Sequence, residues 1–244
     1  MFRTTKLLLS SAIIFGMLGV SSCAEAGPGP DMKKADVERI IQEYLMENPE
    51  IIREALIELD KKEDRAALAA VSDALKNDPR DVSIGPKDAK VTIVEFFDYN
   101  CGYCKRSTEW VKEVMESYPN DVRIVFKELP ILDGRTKTSR NAALAALSAA
   151  RQGKYTTMHF SLMNERSLTI DRVRKLAEET GLDMRKFDAD MKDVALAKQI
   201  EDTLLLANRI PSLTGTPFFV INDEFVSGAD TNKLQNLLDE ALES

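Results

Sequence analysis

The chain has 244 residues, of which 44% are hydrophobic and 30% are charged, which suits one large domain or a domain with an appendage, with a soluble surface. Its formal net charge is −7 and no Lys/Arg cluster is interleaved with aromatic residues, so the totals argue against a nucleic-acid-binding protein. With three cysteines, neither a disulfide-stapled scaffold nor a closed four-ligand zinc site is indicated, and we expect no bound metal.

The N-terminus has the pattern of an export signal. The uncharged apolar run Leu7–Val20 is too short to span a bilayer comfortably and suits the central region of a signal peptide. Small residues followed by Cys23 are typical of a lipoprotein signal, residues 1–22, in which Cys23 becomes the lipidated N-terminus. Ordinary cleavage after Ala26 is the alternative, and it would remove residues 1–26. We favour the lipoprotein type and expect the protein in the bacterial periplasm or cell envelope.

A linker at residues 23–32 leads into a helical segment, residues 33–80. Apolar residues recur there at helical spacing, and Asn48 with Pro49 is expected to cap and begin a second helix. The charge run Asp60–Arg65 interrupts a strict heptad, so a long coiled coil is only weakly indicated. The apolar stripe needs burial, either against the main domain or against other copies of the chain.

Strands alternate with helices in the rest of the chain, residues 82–244. A buried strand, Val91–Phe97, precedes a helical pattern and a second strand; a helical block at about 138–208 and a β-β-α ending follow. This order predicts an α/β protein with a thioredoxin fold and a helical insertion, preceded by the N-terminal helical segment. The two central strands should be parallel and joined by a right-handed crossover.

Two cysteines separated by two residues lie at the junction between that strand and the next helix. Cys101-Gly102-Tyr103-Cys104 can close a small disulfide ring and open it again, which suits electron-pair transfer. Cys101 would lie at a helix N-terminus, where free N–H groups and the helix dipole favour the thiolate. The Cys101–Cys104 pair is thus expected to be the redox group, with no other cofactor.

Thr216-Pro217 begins a later strand, where proline cannot donate to the sheet. If this peptide bond is cis, the backbone of Thr216 faces the dithiol and can pair with an extended substrate chain. Gly102 and Tyr103, between the cysteines, complete the expected substrate contacts.

Glu95 lies within the apolar strand before the dithiol, where a carboxylate is costly without a task or a partner. It could take a proton from Cys104 through a water molecule, or it could pair with a lysine such as Lys127. Asp98 is the second candidate for the proton relay. His159 lies among core-like residues, and we expect a packed histidine rather than the partner of a nucleophilic cysteine.

The stretch Glu95–Cys104 together with Gly215-Thr216-Pro217 resembles the DsbA-like thioredoxin superfamily of bacterial envelope thiol–disulfide oxidoreductases. The layout with a helical segment before the domain is closest to the suppressor-of-copper-sensitivity C and Com1-type proteins. The resemblance implies that Cys101 is the attacking thiol, Cys104 the resolving thiol, Thr216-Pro217 the cis-proline clamp and Glu95 the buried acid. It also makes residues 33–80 a candidate oligomerisation stalk.

The dipeptide Gly102-Tyr103 and the threonine before Pro217 are similar to those of the isomerase DsbC rather than the oxidase DsbA, whose dipeptide is Pro-His and whose clamp residue is Val. The chain lacks the β-rich dimerisation domain of DsbC, so its isomerase activity does not carry over whole. We therefore expect an enzyme that forms, reduces or isomerises disulfides in exported proteins, with isomerase activity favoured over oxidase activity. We also expect an unidentified redox partner in the membrane. If Cys23 is modified, its lipid would anchor the protein in the outer membrane. The alternatives are a surface lipoprotein binding module and a copper-handling protein that presents both thiols to Cu(I).

Overall fold

The computed structural model describes residues 33–244, which form two compact units, residues 33–54 and residues 55–244. The predicted signal peptide, the linker and Cys23 lie outside the described residues. In chain order the elements are α1 (Lys34–Glu47), α2 (Glu50–Ala70), α3 (Ser72–Lys76), β1 (Val82–Ile84), β2 (Val91–Phe97), α4 (Gly102–Ser117), β3 (Val122–Glu128), α5 (Asp133–Thr136), α6 (Ser139–Arg151), α7 (Tyr155–Asn164), α8 (Ile170–Glu179), α9 (Met184–Asp190), α10 (Val194–Ala207), β4 (Phe218–Ile221), β5 (Glu224–Ser227) and α11 (Thr231–Glu243).

The first unit contains α1 and the start of α2. No residue of α1 is buried, and its apolar side chains are exposed. Asn48 was expected to cap α2, but its Nδ2 donates to the Tyr44 carbonyl at 2.8 Å, and its backbone N–H bonds the same carbonyl at 2.9 Å. Asn48 is thus the C-cap residue of α1, and α2 begins two residues later at Glu50.

The second unit is built on a five-stranded sheet in the order β1-β3-β2-β4-β5. Strands β2 and β3 are parallel and the other pairs are antiparallel. The α4 helix connects β2 to β3, and helices α5 to α10 lie between β3 and β4 in the sequence. The predicted α/β thioredoxin fold with a helical insertion and an N-terminal helical segment is thus confirmed.

Both faces of the sheet are covered, which explains why β2 and β3 read as nearly continuous apolar runs. Alternate residues of β2 point to opposite faces. Ile93 and Phe97 belong to the cluster that includes residues of α4, α6, α7 and α11, whereas Val94 and Phe96 belong to a second cluster on the other face.

The second cluster draws on residues before β1. Leu68, Val71 and Leu75 are at most 3% exposed and pack with residues of β2 and β4. Residues from the predicted helical segment 33–80 therefore contribute to the core beneath the sheet.

Candidate active site

The dithiol lies at the carboxyl end of β2, where α4 begins. Cys101 is the N-cap residue of α4 with extended backbone angles, and its N–H bonds the Asp98 carbonyl at 2.9 Å. The Asp98 side chain accepts from the N–H of Asn100 and of Leu132, both at 2.8 Å, and from the Ser139 hydroxyl at 2.7 Å. Three hydrogen bonds satisfy this carboxylate and fix the loop around it. Asp98 therefore ties the segment before Cys101 to the loop around residues 132–139, and its second candidacy as a proton relay stays a prediction.

The two thiols have opposite environments. Cys101 is 7% exposed and Cys104 is 0% exposed, and both are free thiols. A hydrogen bond from Cys104, together with the Thr216 side chain and the N–H groups of Cys104 and Tyr103, lowers the pKa of Cys101 to about 5 against the opposing effect of burial. Burial, followed by the interaction with Cys101, raises the pKa of Cys104 far above its ordinary value. At neutral pH Cys101 is the thiolate and Cys104 carries the proton.

The Thr216-Pro217 segment lies against Cys101. The Thr216–Pro217 peptide bond is cis, and the Sγ of Cys101 is 3.2 Å from the Thr216 carbonyl oxygen. The Pro217 carbonyl accepts from Gly228 N–H at 2.8 Å, which ties the segment to the end of β5. The structure therefore brings together two sequence features that are separated by more than a hundred residues.

The residues between the cysteines form the accessible part of the site. Gly102 and Tyr103 are both exposed, and the Tyr103 side chain is 58% exposed. The Arg106 guanidinium lies 4.9 Å from the centre of the Tyr103 ring, a cation–π distance. A Cβ added at Gly102 would meet nothing within 4 Å, so packing does not require glycine there.

Glu95 lies on the α4 face of the sheet and is 1% exposed. Its register partners in β3 and β4 are Phe126 and Phe219, and neither of its carboxyl oxygens has a hydrogen-bond partner in the described structure. Burial among these rings raises the pKa of Glu95 to about 8, and the same carboxyl raises the pKa of Cys104.

Lys127, the alternative partner of Glu95, lies on the opposite face of β3. Its ammonium donates to the Asp81 carboxylate and, at 2.6 Å, to the Ala74 carbonyl. Neighbouring residues of a strand point to opposite faces of the sheet, and Phe126 is the residue in register with Glu95. Lys127 is therefore on the other face from Glu95.

His159 is a packed histidine, 1% exposed and surrounded by aromatic rings. Burial lowers its pKa to about 3, so the ring is neutral at physiological pH. Its Nδ1 lies 3.0 Å from the hydroxyl of Tyr99, which also bonds Glu128 at 2.9 Å. Sequence reasoning missed this cluster; the visible signal was Glu128, an ionisable residue that ends an apolar strand.

Together, a thioredoxin fold and a thiol of lowered pKa beside a buried thiol define a class, the thioredoxin-fold redox proteins. A family model described as DSBA-like thioredoxin domain matches residues 92–240, and one described as copper resistance protein ScsC N-terminal domain matches residues 34–66. The chain belongs to the DsbA-like thioredoxin family of thiol–disulfide oxidoreductases.

Solved structures agree with this assignment. A linker-deletion mutant of Proteus mirabilis ScsC is 31% identical with a TM-score of 0.69, covering 88% of this chain and 99% of that one. A periplasmic thioredoxin-like protein from Salmonella enterica serovar Typhimurium is 32% identical with a TM-score of 0.60, covering 72% of this chain and 97% of that one.

The curated relatives are much longer proteins. The Na(+)/H(+) antiporter NhaA 3 of Salinispora tropica is 35% identical over 144 residues, which is 59% of this chain and 22% of that protein. The chain thus spans about a fifth of the length of such relatives. The antiporter activity in their names belongs to those whole proteins. Within residues 33–244, no helix combines the length and apolar character needed to cross a membrane.

The hydrogen bond from Cys104 is the largest cause of the lowered pKa of Cys101, which makes a matched pair of variants informative. Cys104→Ser keeps an O–H donor at that place, whereas Cys104→Ala removes it. We expect the pKa of Cys101 to be higher by about one unit or more in Cys104→Ala than in Cys104→Ser. Thiolate absorbance at 240 nm measured against pH gives both values. Equal values in the two variants would show that the hydrogen bond from residue 104 does not set the acidity of Cys101.

Proposed function

We propose that this protein exchanges thiols and disulfides in exported proteins, with Cys101 as the attacking thiol and Cys104 as the resolving thiol. The observation that carries the proposal is the contact of 3.2 Å between the acidic Cys101 sulfur and the Thr216 carbonyl beside Pro217. An extended client chain can pair with the backbone beside Pro217 while its sulfur reacts with Cys101.

In the reducing direction, the Cys101 thiolate attacks one sulfur of a client disulfide. A Cys101–client disulfide forms, and the second client sulfur leaves as a thiolate that takes a proton from solvent. In the mixed disulfide Cys101 has no S–H proton to donate to the Thr216 carbonyl, which is then free to accept a client N–H. Cys104 then loses its proton and attacks Cys101, the first client sulfur leaves, and the Cys101–Cys104 disulfide remains. The oxidising direction is the reverse.

Glu95 suits the role of base for Cys104. The buried Cys104 thiol is a poor acid, so resolution needs a group that accepts its proton. A carboxyl with a pKa near 8 and no other partner lies on the same face of the sheet and influences that thiol. A water molecule between the two would carry the proton, as the sequence reasoning proposed.

Isomerisation is favoured over oxidation within this chemistry. It needs the reduced enzyme and a surface that holds the client while disulfides rearrange. Support comes from Thr216 and from the Gly102-Tyr103 dipeptide, whose exposed tyrosine offers an apolar contact beside the reacting sulfur.

We expect Cys101→Ser to abolish the refolding of scrambled ribonuclease, because Cys104, the other described thiol, is 0% exposed and cannot reach a client disulfide. Matched full-length wild-type protein gives the reference rate, and titration against glutathione gives the equilibrium of the dithiol. Retained activity in Cys101→Ser would refute the mechanism. A wild-type protein without reversible equilibrium would favour the binding module, or copper handling if it also binds Cu(I) through both thiols.

Glu95→Gln is expected to slow resolution and to stabilise the fold at alkaline pH. The pKa of Glu95 is raised from 4.5 to about 8 in the folded state. The stability that depends on a protonated Glu95 is therefore fully present below pH 4.5 and is lost as the pH rises through 8. Glutamine carries no charge, so the variant should be more stable than wild type by about 2 kcal/mol or more at pH 9 and similar at pH 4. Urea unfolding at both pH values and single-turnover kinetics check the two effects. Unchanged resolution would remove Glu95 from the mechanism.

We further propose that the first unit joins copies of the chain, as a client-holding assembly requires. Its side chains Val37, Ile40, Ile41 and Tyr44 are between 37% and 56% exposed, and apolar stripes of this kind are stable in water only when they are covered. Family membership over residues 34–66 also supports this assignment.

Ile41→Lys should reduce the mass in solution measured by light scattering, because it places a charge in the apolar stripe. Gln42→Lys adds the same charge to the same helix outside that stripe and should leave the mass unchanged. A wild-type protein that is already monomeric would contradict the proposal.

We place this activity in the bacterial cell envelope. The predicted export signal supports it, and so does the similarity to a periplasmic protein. Lipidation of Cys23, an outer-membrane anchor and a membrane redox partner remain proposals that follow from the sequence.

A further inference from the structure

A buried polar cluster joins the redox loop to the helical insertion. Its four side chains are at most 5% exposed: Tyr99, Glu128, Tyr155 and His159. The hydroxyl groups of Tyr99 and Tyr155 each lie 2.9 Å from Oε1 of Glu128, and Tyr99 also lies 3.0 Å from Nδ1 of His159. The reaction steps above use none of these groups.

The direction of the hydrogen bonds follows from counting protons. Tyr155 donates its one hydroxyl proton to Glu128, and Tyr99 donates its own to the same oxygen. Burial raises the pKa of Glu128 well above its ordinary value, so in this arrangement the carboxyl proton lies on the other oxygen of Glu128, and Tyr99 accepts from Nδ1 of His159. The low pKa of His159 agrees with this neutral ring. The Tyr99 phenol is therefore held from both sides, by an acceptor and by a donor.

These contacts act on the chain segment that carries the attacking thiol. Tyr99 lies between Asp98, whose carbonyl accepts from Cys101 N–H, and Asn100, whose amide donates to Ser139 at 2.9 Å. Asp98 and Asn100 face the loop around residues 132–139, whereas Tyr99 reaches the end of β3 and helix α7. The Tyr99 side chain thus anchors this segment in a second direction.

We propose that Tyr99 is a positioning residue for the redox reaction: its phenol, held between Glu128 and His159, fixes the segment that delivers Cys101 to the N-terminus of α4. The proposal rests on the proposed function, because it concerns the same dithiol. The sulfur of Cys101 benefits from the N–H groups of Tyr103 and Cys104 only while it stays close to them. A looser segment weakens these bonds, destabilises the thiolate and shifts the balance from dithiol to disulfide.

Tyr155 supplies a matched control. Tyr99→Phe and Tyr155→Phe each remove one buried hydroxyl from the same oxygen of Glu128 at the same distance. Tyr99 belongs to the segment before Cys101, whereas Tyr155 belongs to α7. A role in packing alone predicts that both variants lose stability and that neither changes the redox equilibrium.

The experiment measures the equilibrium of the full-length protein with glutathione, alongside the pKa of Cys101 and unfolding in urea. We expect Tyr99→Phe to shift the equilibrium constant about two- to fivefold towards the disulfide, the range that part of one hydrogen bond allows, and to raise the pKa of Cys101. Tyr155→Phe should stay within about 1.5-fold of wild type. Equal shifts in both variants, or none in either, would overturn the proposal.

A second pair of variants decides the matter if Tyr99→Phe does not fold. Glu128→Ala removes the acceptor and should shift the equilibrium in the same direction, whereas the amide oxygen of Glu128→Gln accepts both phenols and should restore the wild-type value. Identical equilibria in this pair would overturn the proposal. A wild-type protein that fails to equilibrate with glutathione would instead overturn the proposed function itself.

Discussion

Several hydrogen-bond donors around the sulfur of Cys101 lower the pKa of this thiol. The Cys104 thiol, the Thr216 side chain and the N–H groups of Cys104 and Tyr103 all favour the thiolate, and together they outweigh burial. A disulfide has no charge for these donors to stabilise, so they favour the dithiol and make the disulfide a better oxidant. This stabilisation of the folded dithiol is fully present above the unfolded pKa near 9 and is lost as pH falls through about 5.

The second thiol and its neighbouring carboxyl show the opposite arrangement. Cys104 on α4 and Glu95 on β2 are both buried, and Phe126 and Phe219 flank the carboxyl in the sheet. An uncompensated carboxyl in such a place lowers stability, and a core selected for packing alone would hold an apolar residue. In the proposed mechanism this loss of stability is what keeps a proton acceptor available to the Cys104 thiol. Cys101 is 7% exposed and has a lowered pKa, whereas Cys104 is 0% exposed and has a raised pKa, which supports the separate roles that we propose for the two sulfurs.

The features that could be predicted from the sequence are those that produce a local pattern of apolar and polar residues. The strand before Cys101, the helix after it and the order of elements follow from periodicity, and they led to the correct fold class. The placement of Thr216-Pro217 against the dithiol followed from that strand order, although no local pattern links the two. The contacts of Tyr99 with Glu128 and His159 were not predictable, because they join residues 29 and 60 positions apart without any repeating pattern. The burial of Leu68 and Leu75 was equally hidden, since an amphipathic stripe shows which face is apolar but not what covers it.

In the proposed mechanism Cys101 alone forms the covalent bond with a client, while Cys104 stays buried. Trapping that bond tests this step: Cys104→Ser protein is incubated with an unfolded client that contains one disulfide, and the adduct is mapped by mass spectrometry without reduction. We expect a mixed disulfide between the client and Cys101. No adduct, or an adduct at Cys23 with Cys101 free, would contradict it.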